Sequence, residues 1–166
     1  QGAFPVDVVQ AGYLVDFRPR GGAAVATIAA GDLGAHQAGD KEVPGLTIER
    51  EMDSVLPRRV SIKHLDYSRE YDIGEQYAER LNTDSINIKE MELALVLTAT
   101  EAAQVAENLL YLYWLERYQV RFTLPPTFNA LEPADVVTVN ADSGTYEFRI
   151  TSITYAADGR LEVAAR

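Results

Sequence analysis

The histidines are the first side chains to test for chemistry. His64 is followed two positions later by Asp66 in a segment that alternates like a strand, so the two side chains share a face. A zinc site needs about three converging protein ligands, and Asp72 is a third candidate that the spacing does not require. His36 stands alone in a polar segment. We therefore predict packed or surface histidines and no metal ligand.

Paired carboxylates are the second candidate. Glu49 and Glu51, and again Glu90 and Glu92, stand two positions apart on predicted strands. Glycosidases use two carboxylates at a set separation in a cleft. The chain has 25 acidic residues, so such pairs arise by chance, and a solvated strand face is the simpler interpretation. A cell-wall glycan-cleaving domain stays as an alternative function.

Nucleophiles and cofactor loops are not indicated. No serine stands in G-x-S-x-G, and Ser143 lies in NADSG, which is typical of a hairpin turn. No glycine-rich dinucleotide or phosphate loop occurs. The chain has no cysteine, which excludes disulfides, thiolate zinc sites and cysteine nucleophiles. The sequence predicts no catalytic residue, no cofactor and no enzymatic activity.

Aromatic side chains form the clearest cluster. Tyr111, Trp114 and Tyr118 stand close to the end of a predicted helix. Such rings stack on sugars or bases in other proteins, but Arg117 and Arg121 are the only cations near them in sequence. Core packing or a subunit contact is the expected role of such a cluster, and we predict that these three aromatics contact another subunit. A glycan-binding surface stays open as an alternative.

Charge argues against a role in holding nucleic acid. The chain has 15 Lys and Arg against 25 Asp and Glu, a formal net charge of −10. Sequence-independent DNA binding depends on cations that displace counterions. The acidity serves solubility in the simpler interpretation, and it also suits a surface that DNA passes without adhering. No apolar run reaches the roughly 18 residues of a membrane span. The chain has neither a signal peptide nor an initiating Met, so we expect it to be part of a longer protein.

The N-terminal part is predicted to be β-rich. Eight of the 11 glycines fall within residues 1–45. VDVVQAGYLVDF predicts a hairpin that turns at Ala11-Gly12, and residues 23–35 predict a strand or a short helix. AHQAGDKEVPG, residues 35–45, is polar and aperiodic, which indicates a linker. We assign residues 1–45 to a small β-rich subregion and residues 46–166 to a second domain.

The second region alternates between strand and helix patterns. Half-buried strands of period two are predicted over residues 46–51, 59–68 and 86–98. Ile73, Tyr77 and Leu81 are spaced by four, which predicts a short amphipathic helix over residues 73–83. After the long helix, alternation returns from Tyr118 and ends at two prolines. Three further strands, joined by the turn signals NADSG and AADG, complete the chain.

The long helix is predicted over residues 99–117. Thr98 and Glu101 match a capping box, and no Gly or Pro interrupts the segment. Its apolar residues cover more than one side, so it needs more than one partner surface. It is either buried within one domain or packed on its own sheet and on a second domain or subunit. The predicted class is α+β: an antiparallel β-barrel-like sheet with one long packed helix, plus a small N-terminal β-rich subdomain.

The order of these segments resembles a known family. The quoted features are the helix start TEAAQVAENLL, the exit LERYQVRFTLPP, the turn-strand LEPADVV and the closing RITSITY. In this order and spacing they resemble the tail hub and tail tip proteins of long-tailed bacteriophages and gene transfer agents. The family has Pro-Gly-Asp where this chain has Pro133-Ala134-Asp135. Type II turns require Gly at that place and type I turns accept Ala, so we expect the backbone to differ there.

The resemblance implies a structural role and no catalysis. Such hubs are similar to tail-tube subunits, with β-barrel domains that assemble as a trimeric ring. The ring joins the tail tube, or distal tail protein, to the receptor-binding tip, and DNA passes only through its lumen. The implied localisation is the virion or tail particle, assembled in the bacterial host cytoplasm. In this setting the helix would brace the following strand against a neighbouring subunit.

Overall fold

The computed structural model describes residues 6–11, 13–37, 39 and 41–166. These residues form one α-helix and eleven strands. In chain order the elements are β1 (Val6–Ala11), β2 (Leu14–Pro19), β3 (Ala26–Ile28), β4 (Thr47–Arg50), β5 (Pro57–Asp66), β6 (Asp72–Glu79), β7 (Asn87–Leu97), α1 (Ala99–Leu115), β8 (Tyr118–Leu124), β9 (Val136–Ala141), β10 (Gly144–Tyr155) and β11 (Leu161–Ala165). The class is α+β with several sheets, as predicted.

The described chain forms two compact units. The first contains the segment from β1 to Glu49 together with Tyr118–Arg166, and the second contains Arg50–Arg117. The first is discontinuous in sequence because β3 pairs in parallel with β9 and β4 lies beside β8. The assignment of residues 1–45 and 46–166 to separate domains stays a prediction, and these compact units have other bounds.

The first unit is built on a six-stranded sheet in the order β3-β9-β10-β11-β8-β4. Alternate residues of the strands are apolar and point to one side, as the period of a strand requires. Val120, Phe122 and Leu124 of β8 are buried in one core with Val137 and Val139 of β9. The sheet is open, with β3 and β4 at its ends, so closure into a barrel is not seen among the described residues.

A separate hairpin belongs to the first unit. β1 and β2 pair antiparallel from Val6 opposite Pro19 to Ala11 opposite Leu14, as the sequence predicted. The expected turn residue Gly12 lies outside the described residues. Residues 23–35 supply β3 and a short 3-10 helix, Ala30–Asp32. The described residues of the predicted linker, 35–45, contain no helix or strand.

The second unit places α1 on a three-stranded sheet in the order β6-β5-β7. β6 runs antiparallel to β5, and β7 runs parallel to it. Val60 and Ile62 of β5 share a core with Val105, Ala106 and Leu109 of α1. The helix starts at a capping box in which the Thr98 hydroxyl accepts from the Glu101 N–H and the Glu101 carboxylate accepts from the Thr98 N–H, as predicted.

Two predictions about individual strands were wrong. Residues 73–83 contain the strand β6 instead of an amphipathic helix. The spacing of four at Ile73 and Tyr77 fits both periods, and pairing of β6 with all but two residues of β5 decides in favour of the strand. β4 was expected to be half buried, but all four of its residues are exposed because it forms the end of its sheet.

In the turn before β9, Ala134 adopts a backbone conformation that is usual for glycine. Ala134 has φ +72°, in the left-handed region that disfavours a Cβ. Its N–H donates to the Ile150 carbonyl at 2.8 Å, and the Asp135 carboxylate accepts from the Glu132 N–H at 2.8 Å. The expected change of backbone conformation is therefore not seen, because the surrounding hydrogen bonds hold Ala134 in place.

Candidate interaction surfaces

His64 and Asp66 lie together but are not hydrogen-bonded to each other. His64 is buried, and neither ring nitrogen has a hydrogen-bond partner among the described residues. The Asp66 carboxylate accepts instead from the hydroxyl and the N–H of Ser68, which together hold its pKa below the usual value. The histidine is packed, as predicted, and Gly74 of β6 leaves the space for its ring.

The paired carboxylates lie on solvated strands. Glu49 lies in β4 and Glu51 directly follows this strand, and both side chains are exposed. Glu90 lies 3.7 Å from the Lys63 ammonium on the sheet of the second unit, and Glu92 is exposed on the same strand. Within the described ranges, no group of three or more His, Cys, Asp or Glu side chains is placed to hold a metal ion.

The three predicted interface aromatics differ in their surroundings. Trp114 is only 8% exposed, and its indole N–H donates to the Pro57 carbonyl at 3.0 Å. It therefore belongs to the core of its own unit. Tyr111, one turn earlier on α1, is 64% exposed. Tyr118 belongs to the first unit and is 37% exposed. Contact with another subunit stays a prediction for all three.

Tyr111 and Trp114 line one groove of the second unit. The groove has a volume of about 580 Å³ and lies between α1 and β6. The Arg80 guanidinium stacks over the Trp114 ring at 4.2 Å from its centroid. The lining residues are Tyr77, Ala78, Glu79, Arg80, Ala103, Glu107, Asn108, Leu110, Tyr111 and Trp114. Aromatic walls with a few polar groups are typical of binding sites of this size.

The edge of β6 that borders this groove was not predicted from the sequence. The Arg80 N–H donates to the Arg58 carbonyl, which continues the β5–β6 ladder past the end of β6. β6 is the end strand of its sheet, so its other side has no strand partner within the described chain. The misassigned helix over residues 73–83 concealed this edge, because a helix satisfies its own backbone groups and a strand does not.

The hairpin of the first unit has one charged face and one apolar face. Arg18 binds Glu132 and Asp135 at 2.5 Å each, and Asp7 binds Arg149 at 2.9 Å. These ion pairs tie one face of β1–β2 to the rest of its unit. The opposite face is largely apolar and exposed, and Phe17 on it is 67% exposed. The residues of this face are Val6, Val8, Gln10, Val15, Phe17 and Pro19.

A second, smaller cavity lies in the first unit. Its volume is about 270 Å³, and its walls come from the segment around Val43 and Pro44 and from the outward residues of the sheet, such as Arg121 and Glu162. None of the residues predicted to contact another subunit lines it. No helix among the described residues is long and apolar enough to cross a membrane.

Sequence comparison identifies one family. Residues 1–153 match the model of the family described as Putative phage tail protein. This match covers most of the 166-residue chain. No protein with curated annotation matches the sequence.

Solved structures of tail proteins have a similar fold. A chain of the virion of a native gene transfer agent particle superposes with a TM-score of 0.85 at 23% identity, over 99% of this chain and 36% of that one. The 43 kDa tail protein of prophage MuSo2 from Shewanella oneidensis gives 0.60 at 14% identity, over 98% of this chain and 50% of that one. A tail protein from Neisseria meningitidis MC58 gives 0.54 at 14% identity, over 88% and 45%. The present chain thus spans half the length of these proteins or less.

Proposed function

Because the chain belongs to the phage tail protein family, and is thus a structural tail protein of a phage or gene transfer agent particle, we propose that it is part of the tail hub or baseplate. In this role it joins the tail tube, or distal tail protein, to the receptor-binding tip. The observation that carries the proposal is the family match over residues 1–153. The similar fold of a chain in a gene transfer agent virion, with a TM-score of 0.85, supports it.

The proposed assembly is a homo-oligomeric ring, with three copies as the expected number. Two exposed apolar features support a subunit contact: Tyr111 on α1 and the outer face of the β1–β2 hairpin around Phe17. Exposed apolar patches on soluble proteins commonly mark interaction sites. The chain acts without catalysis in this proposal, within a particle assembled in the bacterial host cytoplasm.

The proposed ring surrounds the DNA channel. The net charge of −10 supports this part of the proposal, because an acidic wall repels phosphates and lets DNA pass. Binding to duplex DNA at low salt, where attraction between opposite charges is strongest, is expected to be undetectable. Retention of labelled duplex DNA by the purified chain at low ionic strength would contradict the acidic channel.

Electron microscopy of purified particles tests the location. The chain is tagged at an exposed loop, such as the β9–β10 turn at Asp142–Ser143, and the tag is visualised with gold. We expect label at the junction between the tail tube and the tip, in a ring of symmetry-related positions. Label along the whole tube, on the capsid or absent from the particle would contradict the hub role.

A glycan-binding tail domain is the second candidate function. The groove between α1 and β6 favours it, because Tyr111 exposes aromatic surface beside Glu107 and Asn108. Binding of soluble peptidoglycan fragments by calorimetry would support it if Tyr111→Ala abolished the heat. Trp114 is unsuitable as the probe because its removal damages the core. A cleaving activity would require release of reducing ends, lost on Glu51→Gln.

A further inference from the structure

We propose that the free edge of β6, with the groove beneath α1, binds an extended basic segment of a partner polypeptide by strand addition. The added segment would become the fourth strand of the β6-β5-β7 sheet. This inference concerns a binding site of the second unit and does not depend on the hub role. Its failure would leave the proposed tail function untouched.

The outward backbone groups of β6 are available to an added strand. The β5–β6 register is continuous, and the Arg80 N–H donates to the Arg58 carbonyl. Backbone N–H and C=O groups alternate sides along a strand. The N–H and C=O groups of residues 74, 76 and 78 therefore point towards β5. Residues 73, 75, 77 and 79 point theirs outwards. The Ile73 N–H is satisfied by the Asp72 carboxylate at 2.8 Å. The outward N–H groups of residues 75, 77 and 79 have no backbone partner among the described residues.

This edge lacks two usual protections against strand addition. Exposed edges are normally blunted by proline, by bulges or by charged side chains. β6 contains no proline, and its register with β5 has no bulge. Its protection consists of charge alone, at Glu75 and Glu79. A charge repels like charges but attracts opposite ones, so this edge discriminates between partners instead of excluding all of them.

The charges identify the partner as basic. The cations beside this edge have other partners: Arg58 pairs with Glu79 at 2.9 Å and Lys63 with Glu90 at 3.7 Å, while Arg59 stacks on Tyr77 and Arg80 on Trp114. Glu75 stands opposite Lys63 in the β5–β6 register, but its carboxylate accepts a hydrogen bond from the Ser61 hydroxyl and has no ion pair among the described residues. A second copy of this edge would bring like carboxylates together, which is destabilising across strands. A Lys or Arg opposite Glu75 would instead form a cross-strand ion pair.

The groove sets a second requirement on the partner segment, which is that its alternate residues are apolar. Successive residues of an added strand point to opposite faces of the sheet. One set would lie beside Glu75 and Tyr77 on the open face. The other set would point towards α1, where Ala78, Ala103 and Tyr111 line the groove. The site therefore selects an extended segment in which basic and apolar residues alternate.

Amide hydrogen exchange measured by NMR on the whole chain tests the proposal directly. The probe is a blocked heptapeptide of alternating lysine and valine, and the control peptide has glutamate in place of lysine. In the free chain we expect fast exchange at residues 75, 77 and 79 and slow exchange at 76, 78 and 80. The lysine peptide should slow residues 75 and 77 at least tenfold, and the glutamate peptide should leave them unchanged. Residues 75 and 77 that are already slow in the free chain, or unaffected by the lysine peptide, would overturn the proposal.

Two variants separate the backbone contact from the charge. Glu75→Ala removes the carboxylate but keeps the outward N–H, and Glu75→Pro removes both without taking an N–H from the β5 ladder. We expect a few-fold weaker binding for Glu75→Ala and at least a further tenfold loss for Glu75→Pro. Equal binding by the two variants would overturn strand addition. Retained protection of the Arg80 amide checks that the Pro variant is folded; if that protection is lost, the peptide experiment on the unmodified chain decides alone.

Discussion

At the scale of single residues, Ala134 carries a cost that the fold imposes. A non-glycine residue in the left-handed region costs roughly 1–2 kcal/mol, and Ala134 stays there because its N–H and the neighbouring Asp135 are both held. The sequence comparison with Pro-Gly-Asp turns located this position correctly. It predicted the wrong outcome because the hydrogen bonds to β10 are not visible in the local sequence.

Replacing Ala134 with glycine should therefore stabilise the chain. We expect Ala134→Gly to raise the free energy of unfolding by about 1 kcal/mol, measured by urea denaturation, because the steric cost disappears. Ala164→Gly in β11 is the control, and it should lower stability by about 0.5–1 kcal/mol because glycine weakens a strand. A lower stability for Ala134→Gly would show that the observed backbone is not strained.

Gly74 is the opposite case, a residue that must stay small. A Cβ built there would lie 2.9 Å from Cε1 of the buried His64 ring. Gly74→Ala should cost about 1–3 kcal/mol in thermal or urea unfolding, because overpacking forces the ring or the strand to move. The control Gly22→Ala places its methyl where no heavy atom lies within 4 Å, and its stability should be unchanged within about 0.5 kcal/mol. Rescue of Gly74→Ala by His64→Ala would identify the ring as the cause.

At the scale of elements, the start of α1 makes stability depend on pH. The Thr98 N–H and the Thr98 hydroxyl both donate to the Glu101 carboxylate and lower its pKa, and the N–H makes the larger contribution. A lowered pKa in the folded state adds stability above the unfolded pKa, near 4.5 for glutamate. That stability is lost as the pH falls through the lower, folded value.

Glu101→Gln should accordingly destabilise the chain at pH 7 and make less difference in acid. The comparison is the difference in unfolding free energy between the native sequence and the variant from pH 7 down to pH 3. The control is Glu107→Gln, which removes an exposed glutamate from the middle of the same helix, outside the capping box. A difference that stays constant with pH would rule out the carboxylate as its source.

The elements themselves were predictable to different degrees. The capping box at Thr98, the hairpin turn at Asp142–Ser143 and the alternation after Tyr118 each depend on residues close in sequence, and the structure has all three. β6 was missed because Ile73 and Tyr77 fit a helix and a strand equally well. Pairing with β5 decides between them, and that pairing is a tertiary interaction that the local pattern does not contain.

At the scale of the whole molecule, the arrangement of the units could not be predicted from local patterns. β3 pairs with β9, which lies more than one hundred residues later in the sequence, and the local sequence of neither strand specifies this pairing. The candidate groove was predicted only in part. Tyr111 and Trp114 were identified as a cluster, but Arg80 and the free side of β6 join them through the tertiary fold.

Self-association is the whole-molecule prediction. Tyr111→Ser should weaken oligomer formation measured by sedimentation equilibrium, because it removes exposed aromatic surface from α1 without disturbing the core. Tyr67→Ser removes a similarly exposed ring from another part of the same unit and should leave association unchanged. A purified chain that stays monomeric at high concentration, with or without Tyr111, would contradict the proposed ring.

The discontinuity of the first unit has a consequence for synthesis on the ribosome. The Glu51 N–H donates to the Arg117 carbonyl at 2.9 Å, so the segment between them begins and ends at one place. The strands β5, β6 and β7 and the helix α1 all lie within that segment and are complete once Arg117 has left the exit tunnel, whereas β4 must wait for β8 and β3 must wait for β9, which are translated later. Nascent chains stalled at successive lengths should therefore resist protease first across residues 50–117, and β3 and β4 should stay cleavable until β9 and β8 have been translated.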